Sequence, residues 1–308
     1  MLTFFLLVTS VSAFRFSSWH VGKYNGYPVN WDIYTHIHYS EPVITKNGTA
    51  ICNTHDHFIN VAHKHNIKVL WGLGDLDIYS ILWDNNVILR TNYLNTIGKA
   101  MNDCEIDGIE IDYEYPRINS KQLGIITLKQ STIYSKFLGD LKKVIGPHKI
   151  VAADISIWGM GKGEWILGML PWINVTMLNN GDFDYINTMS YHWSRFGSLW
   201  AWKKDAFFID QWGIDKSRVN IGIPYFSTEF WNNQSSEPSW HSLSKKCPNI
   251  DYINNTCNDI VFIGKKMNFE LGQWIKQQKF GGVFPWALNY DSYTCNNSLI
   301  YWLHKGAM

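Results

Sequence analysis

The sequence predicts a (β/α)8 barrel, an α/β fold in one domain. Two observations carry that prediction. Short apolar, β-favouring runs alternate about eight times with segments of helical periodicity along the 308 residues, which is the pattern of a parallel sheet covered by helices. The length suits one large barrel of about 250 residues plus loops, and no linker-like composition interrupts it.

Residues 15–19 read as the first strand, followed by a glycine-containing loop (HVGKYNG), and 34–39 (YTHIHY) as the second. An Asn47-Gly48 turn marks a small hairpin on the exit from the second strand. Residues 53–65 form a helix and 68–71 the third strand, and helical periodicity over 76–101 leads to a fourth strand starting at Ile106. An amphipathic helix over 129–145 stops at Gly146-Pro147, and 149–155 and 183–191 are the fifth and sixth strands. A helix over 200–212, a strand over 218–224, a helix over 265–279 and a strand over 282–287 complete the set. Between the last two strands, 227–260 is expected to be irregular. That leaves no room for a large α+β insertion.

Lys plus Arg (27) nearly balances Asp plus Glu (26), so nothing points to nucleic acid or an anionic membrane, and an uncharged substrate fits. The start, MLTFFLLVTSVSA, is an apolar run followed by small residues, the pattern of a secretory signal cleaved near Ala13. It is too short to span a bilayer as a helix. Sequons at Asn47, Asn174, Asn233, Asn254 and Asn296 agree with export. The product is expected outside the cell, or in a vacuole or lysosome, as a monomer. In that oxidising setting Cys247 and Cys257 bracket a short polar segment and are expected to pair. Among Cys52, Cys104 and Cys295 the pairing stays open, with one thiol left over.

The chemistry concentrates in residues 106–116, IDGIEIDYEYP. In a strand, Glu110, Asp112 and Glu114 share one face while Ile109, Ile111 and Tyr113 share the other. Like charges on one buried face cannot all ionise, so a proton is held in the row, which is how a general acid is made. The competing readings are a solvated strand face and a cation site. A calcium loop spaces its ligands around turn residues and a glycine rather than along alternating isoleucines. His55, His57, His63 and His65 suggest a metal, but they lie across a helix without an H-E-x-x-H run and read as an exposed polar face. No metal and no cofactor are expected.

Residues 107–116 resemble the D-G-x-D-x-D-x-E signature of glycoside hydrolase family 18, the chitinase family, in its form ending W-E-Y-P. Glu110 stands where the family usually has Asp, and Tyr113 where chitinases usually have Trp. Met189-Ser190-Tyr191-His192 resembles the family's M-x-Y-D, with His192 in the Asp place. Residues 222–227 (GIPYFS) resemble G-x-P-x-Y-G, and 281–287 (GGVFPWA) resemble G-G-x-x-x-W-x. GLGDLD, after the third strand, matches the family's S-x-G-G run only in part.

The resemblance implies substrate-assisted, retaining hydrolysis of β-1,4 bonds in N-acetylglucosamine polymers, in which the sugar's 2-acetamido oxygen is the nucleophile. It makes Glu114 the general acid and base, Asp112 the residue that orients the acetamido N–H, and Glu110 its deeper partner. Tyr191 would donate to the acetamido carbonyl. Trp286 would floor the site, with Met189, Tyr115, Trp19 and Tyr225 as further substrate contacts; most of the remaining tryptophans are expected in the core. Asp107 has the opposite strand parity, which gives it a structural role through nearby backbone. His192 would alter the pH optimum, since an imidazole titrates near neutrality. The alternatives are an endo-β-N-acetylglucosaminidase acting on N-glycans and a non-catalytic chitin-binding lectin.

Overall fold

The computed structural model describes residues 13–39, 42–52, 57–74, 87–113, 128–157, 159–160, 165–166, 173–191, 199–227, 239–257 and 260–308. Eight strands close a barrel: β1 (Arg15–His20), β2 (His36–Tyr39), β3 (Lys68–Leu73), β4 (Gly108–Asp112), β5 (Ile150–Ile155), β6 (Tyr185–Thr188), β7 (Val219–Pro224) and β8 (Gly282–Trp286). They are parallel and neighbour one another in chain order, with β8 pairing back to β1. Around them lie α1 (His57–Lys64), α2 (Val87–Asp103), α3 (Leu128–Ile145), α4 (Val175–Asn180), α5 (Trp200–Gln211), α6 (Trp240–Lys246), α7 (Lys265–Gln277) and α8 (Leu299–Ala307).

The alternation has one gap. Residues 21–35, between β1 and β2, contain no helix, and α8 covers this part of the barrel from the other end of the chain. The outward Phe16 of β1 packs on His304 of α8, ring centroids 5.0 Å apart. The expected hairpin forms between Val43–Ile44 and Ala50–Ile51. The segment expected to be irregular contains regular structure in its described part: α6 and an antiparallel pair, Thr256–Cys257 with Ile260–Val261. Cys247 and Cys257 pair, and a second disulfide joins Cys52 to Cys104. The latter ties the hairpin after β2 to the C-terminal end of α2 and closes a separation of 52 residues. The side chain of Cys295 lies outside the description.

At the N-terminal end of the barrel a repeated clasp fixes the register. Before β2, β4 and β6 stand Thr35, Asp107 and Asp184. Each donates its backbone N–H to a carbonyl of the preceding strand, at Phe16, Val69 and Val151. Each also accepts, on a side-chain oxygen, the N–H of that same residue, at 2.9, 2.9 and 2.7 Å. Before β8 the place is taken by Gly281, where a Cβ would lie 2.0 Å from both Ser217 O and Arg15 Nη2.

Strand alternation then sorts the side chains. Ile37, Val69, Ile109, Ile111, Val151, Ile221 and Val283 face the helices and are buried. The interior receives Arg15, Trp19, His38, Glu110, Asp154, Asn187 and Phe284. Large inward groups need small neighbours: the Trp19 indole occupies the space over Gly72, where a Cβ would sit 1.7 Å from Trp19 Cη2. Gly72→Ala should therefore cost about 1–3 kcal/mol or more by overpacking, read as a lower midpoint in urea unfolding. An unchanged midpoint would mean the indole can leave this position freely.

Candidate active site

β4 begins on Gly108, whose missing Cβ leaves room for Ile150 and Leu70. Glu110 follows on the inner face, fully buried, and Asp112 stands one layer nearer the C-terminal mouth, half-buried. Ile109, Ile111 and Tyr113 turn outward. The Tyr113 ring meets Tyr134 of α3 at 5.6 Å, and Tyr134 Oη donates to Ile111 O (3.1 Å). Glu114, Tyr115 and His192 lie outside the described residues.

Opposite Glu110, His38 of β2 places Nδ1 2.9 Å from Oε2. Burial pushes the Glu110 carboxyl up to about 8, aided by the Asp112 charge, and pushes His38 down to about 3. Both are therefore uncharged at neutral pH. A desolvated glutamic acid beside a neutral imidazole avoids the cost of burying two ions.

The sequence reading missed Asp154. It lies on β5, 1% exposed, one register step above Glu110 and level with Asp112. Its Oδ1 accepts from Asn187 Nδ2 (2.8 Å) and its Oδ2 from Trp19 Nε1 (3.4 Å). The available signal was one acid at an inward position of an otherwise apolar strand, IVAADI.

Across the mouth Tyr191 follows β6. It is 8% exposed, with its ring 6.2 Å from Trp286 and 6.0 Å from Phe226. Trp286 ends β8, half-buried, and Trp19 packs beneath it at 5.6 Å. Met189 is buried at the end of β6, its N–H on Ile155 O. Tyr225 is not among the groups at the mouth, contrary to expectation. On β7 the inward positions are Asn220, Gly222 and Pro224, so Tyr225 turns to the outer layer, 1% exposed and near Tyr34 and Asp291. Asp107 also faces outward, where it accepts from Val69 N and contacts His63 Nε2 at 2.8 Å.

Of the four clustered histidines, His63 is held by Asp107 and His65 stacks on Trp31 at 5.4 Å, while His55 lies outside the described residues. Among the described residues no group of three or more His, Cys, Asp or Glu is placed to hold a metal ion. No described helix is long and apolar enough to cross a membrane.

The model of glycosyl hydrolases family 18 matches residues 13–291. No curated protein matches the sequence. Among solved structures the chain is similar to a chitinase from Bacteroides thetaiotaomicron, with 19% identity, 91% of this chain and 90% of that one covered, and a TM-score of 0.71. A chitinase from the chitin utilization locus of Flavobacterium johnsoniae gives 17%, 91%, 88% and 0.70. A mutant chitinase from Cycas revoluta in complex with (GlcNAc)4 gives 14%, 94%, 98% and 0.71. At these identities the likeness to solved structures concerns the fold.

The buried Glu110–His38 contact fixes a pH dependence of stability. Glu110 is raised from 4.5 to about 8, so its contribution is full below pH 4.5 and is lost as pH rises towards 8. His38 is lowered from 6.5 to about 3, so its contribution is present above pH 6.5 and is lost as pH falls towards 3. The two slopes oppose each other between these limits, leaving a net fall in stability on the alkaline side. Urea unfolding from about pH 6 to pH 8 should show that fall in the wild type and a shallower one in Glu110→Gln; parallel slopes would place Glu110 outside the desolvated interior.

Proposed function

The chain belongs to glycosyl hydrolases family 18, and from that premise we propose that this glycoside hydrolase is a chitinase, cleaving β-1,4 bonds of N-acetylglucosamine polymers with retention of configuration. The observation that carries the reading is the inward carboxyl row on β4, with Glu110 fully buried beneath Asp112 and with Tyr191 and Trp286 across the mouth. A row of that kind holds a proton near neutrality, which glycosidic bond cleavage needs.

In the proposed cycle Trp286 floors the sugar that is attacked, its indole stacking on the C–H face of the ring. Asp112 accepts the acetamido N–H and turns the acetamido oxygen towards the anomeric carbon. Glu114 protonates the leaving oxygen and afterwards takes a proton from the water that opens the oxazolinium intermediate. Tyr191 donates its hydroxyl to the acetamido carbonyl oxygen, an interaction that grows as charge develops. Substrates without an N-acetyl group lack the nucleophile. The chitinases among the structural neighbours, one bound to (GlcNAc)4, support a chitin oligosaccharide as ligand.

We propose export as well, with a leader removed near Ala13. The two disulfides suit an oxidising compartment.

The test is hydrolysis of a chromogenic N,N'-diacetylchitobioside, run beside release of N-glycans from a glycoprotein. Glu114→Gln should lower kcat by about 10³-fold with oligomer binding retained, and Tyr191→Phe by about 10²-fold. Activity on the glycoprotein alone would assign an endo-β-N-acetylglucosaminidase. Oligomer binding by the wild type without any chromophore release would leave a lectin and overturn the hydrolytic reading.

A further inference from the structure

A line of oriented amides crosses the barrel interior and ends on the acid row. Arg15 Nη2 donates to Ser217 O and Arg15 Nε to Asn220 Oδ1, each at 2.8 Å. Asn220 Nδ2 donates to Asn187 Oδ1 (2.8 Å), and Asn187 Nδ2 to Asp154 Oδ1 (2.8 Å). A guanidinium can only donate, so Asn220 must turn its oxygen to Arg15 and its nitrogen to Asn187. Asn187 inherits the same sense. The other Asp154 oxygen faces the Trp19 indole N–H, which also can only donate.

Glu110 is less well served. Among the described residues neither of its oxygens has an aligned hydrogen-bond donor: His38 Nδ1, at 2.9 Å, is not aligned with it, and Asn187 and Trp19, although close enough to lower its pKa, make their aligned bonds to Asp154. Glu110 and Asp154 are coupled carboxyls in a desolvated interior and cannot both ionise, so one proton is held between them. A buried carboxylate needs N–H donors to keep its charge, and a carboxylic acid does not. We propose that Asp154 is a positioning residue for catalysis: the ionised member of the pair, held by the Arg15–Asn220–Asn187 line and by Trp19, it stations the proton on Glu110 directly beneath Asp112. The extra methylene of Glu110 lets its carboxyl reach across to β5, one register step higher. The acid at 154 thus answers the departure at 110.

Burial pushes both carboxyls upward, Glu110 to about 8; the Asp112 charge adds to the rise at Glu110 and the Glu110 charge to that at Asp154. The groups that face the pair are His38 from β2, Asp112 from β4, Tyr185 from β6 and Tyr134 from α3, with Arg15 from β1 and His36 from β2 one step beyond, against Tyr185. Burial keeps both histidines neutral down to about 3 and both tyrosines protonated far above neutrality. When Asp112 turns to the substrate, the proton passes between Glu110 Oε and Asp112 Oδ, and the anion at Asp154 stays in place. The proton assignment stands on the barrel interior alone. Its role in turnover rests on the chitinase reading above.

The test is carboxyl ¹³C NMR titration of protein labelled at Glu and Asp side chains, with Glu110→Gln and Asp154→Asn giving the assignments. Glu110 should be protonated at neutral pH and Asp154 ionised. Asp154→Asn removes a like charge and should lower the Glu110 midpoint by about one unit or more. The alkaline limb of kcat/KM on chitin oligomers should move the same way, with KM kept. Arg15→Gln keeps an N–H for Asn220 but removes the cation, so both readouts should move upward; it carries the test if Asp154→Asn does not fold. A proton found on Asp154, or a Glu110 midpoint indifferent to both variants, overturns the assignment. An alkaline limb that stays fixed while the midpoint moves overturns the positioning role. A wild type without hydrolysis removes the chitinase reading and leaves the NMR result to stand or fall separately.

Discussion

The desolvation of ionisable groups inside the closed barrel is the constraint on which the rest of this structure depends. Every strand is paired on both sides, so the inner face has no water-facing edge, and each inward charge must be given hydrogen-bond partners or be neutralised. The chain uses both means. Arg15 keeps its charge at the N-terminal end through Ser217 O, Asn220 and the face of Tyr185, 4.6 Å away. His36 and His38 give theirs up. The interior thus runs from a cation at one end to carboxyl groups near the other, with amides between.

Strand alternation turns that constraint into a site. The clasp formed by Thr35, Asp107 and Asp184 sets where β2, β4 and β6 begin. A one-residue slip would exchange the two faces of a strand. On β4 it would bring Ile109 and Ile111 inside and drive Glu110 into the helix layer. The outer Asp107 and the inner Glu110 and Asp112 are therefore linked: an acid that touches no inward group helps hold the inward ones in register.

What could be read from the sequence follows the same division. The acid row of β4 was legible because its carboxylates alternate with isoleucines over several residues, and the barrel because its apolar runs recur at regular intervals. Asp154, His38 and Asn187 were not, because each lies in a short strand and its meaning comes from neighbours far away in sequence. Tyr225 was misplaced for a different reason: its nearness to Gly222 and Pro224 suggested the mouth, whereas parity from those same residues sends it outward. The Cys52–Cys104 bridge joins positions whose proximity exists only after β2, β3 and β4 are side by side. The helix α6 and the hairpin after it were hidden by brevity, since two-residue strands and a two-turn helix carry little periodicity.

The departure at Glu110 is then intelligible as a packing problem with an electrostatic answer. A longer acid in a close-packed interior needs space, and its register partner on β5 is the small Ala152, as Gly72 is the small residue beneath Trp19. Space alone would leave a carboxyl in an apolar hole. With Asp154 alone and no donors, two acids would compete for neutrality and the pair would simply be lost as protonated carboxyls. With the amide line and the indole as well, one acid is held ionised and the other holds the proton. The substitution at 110 is therefore coupled to residues on β1, β5, β6 and β7, and its effect belongs to that set rather than to one extra methylene.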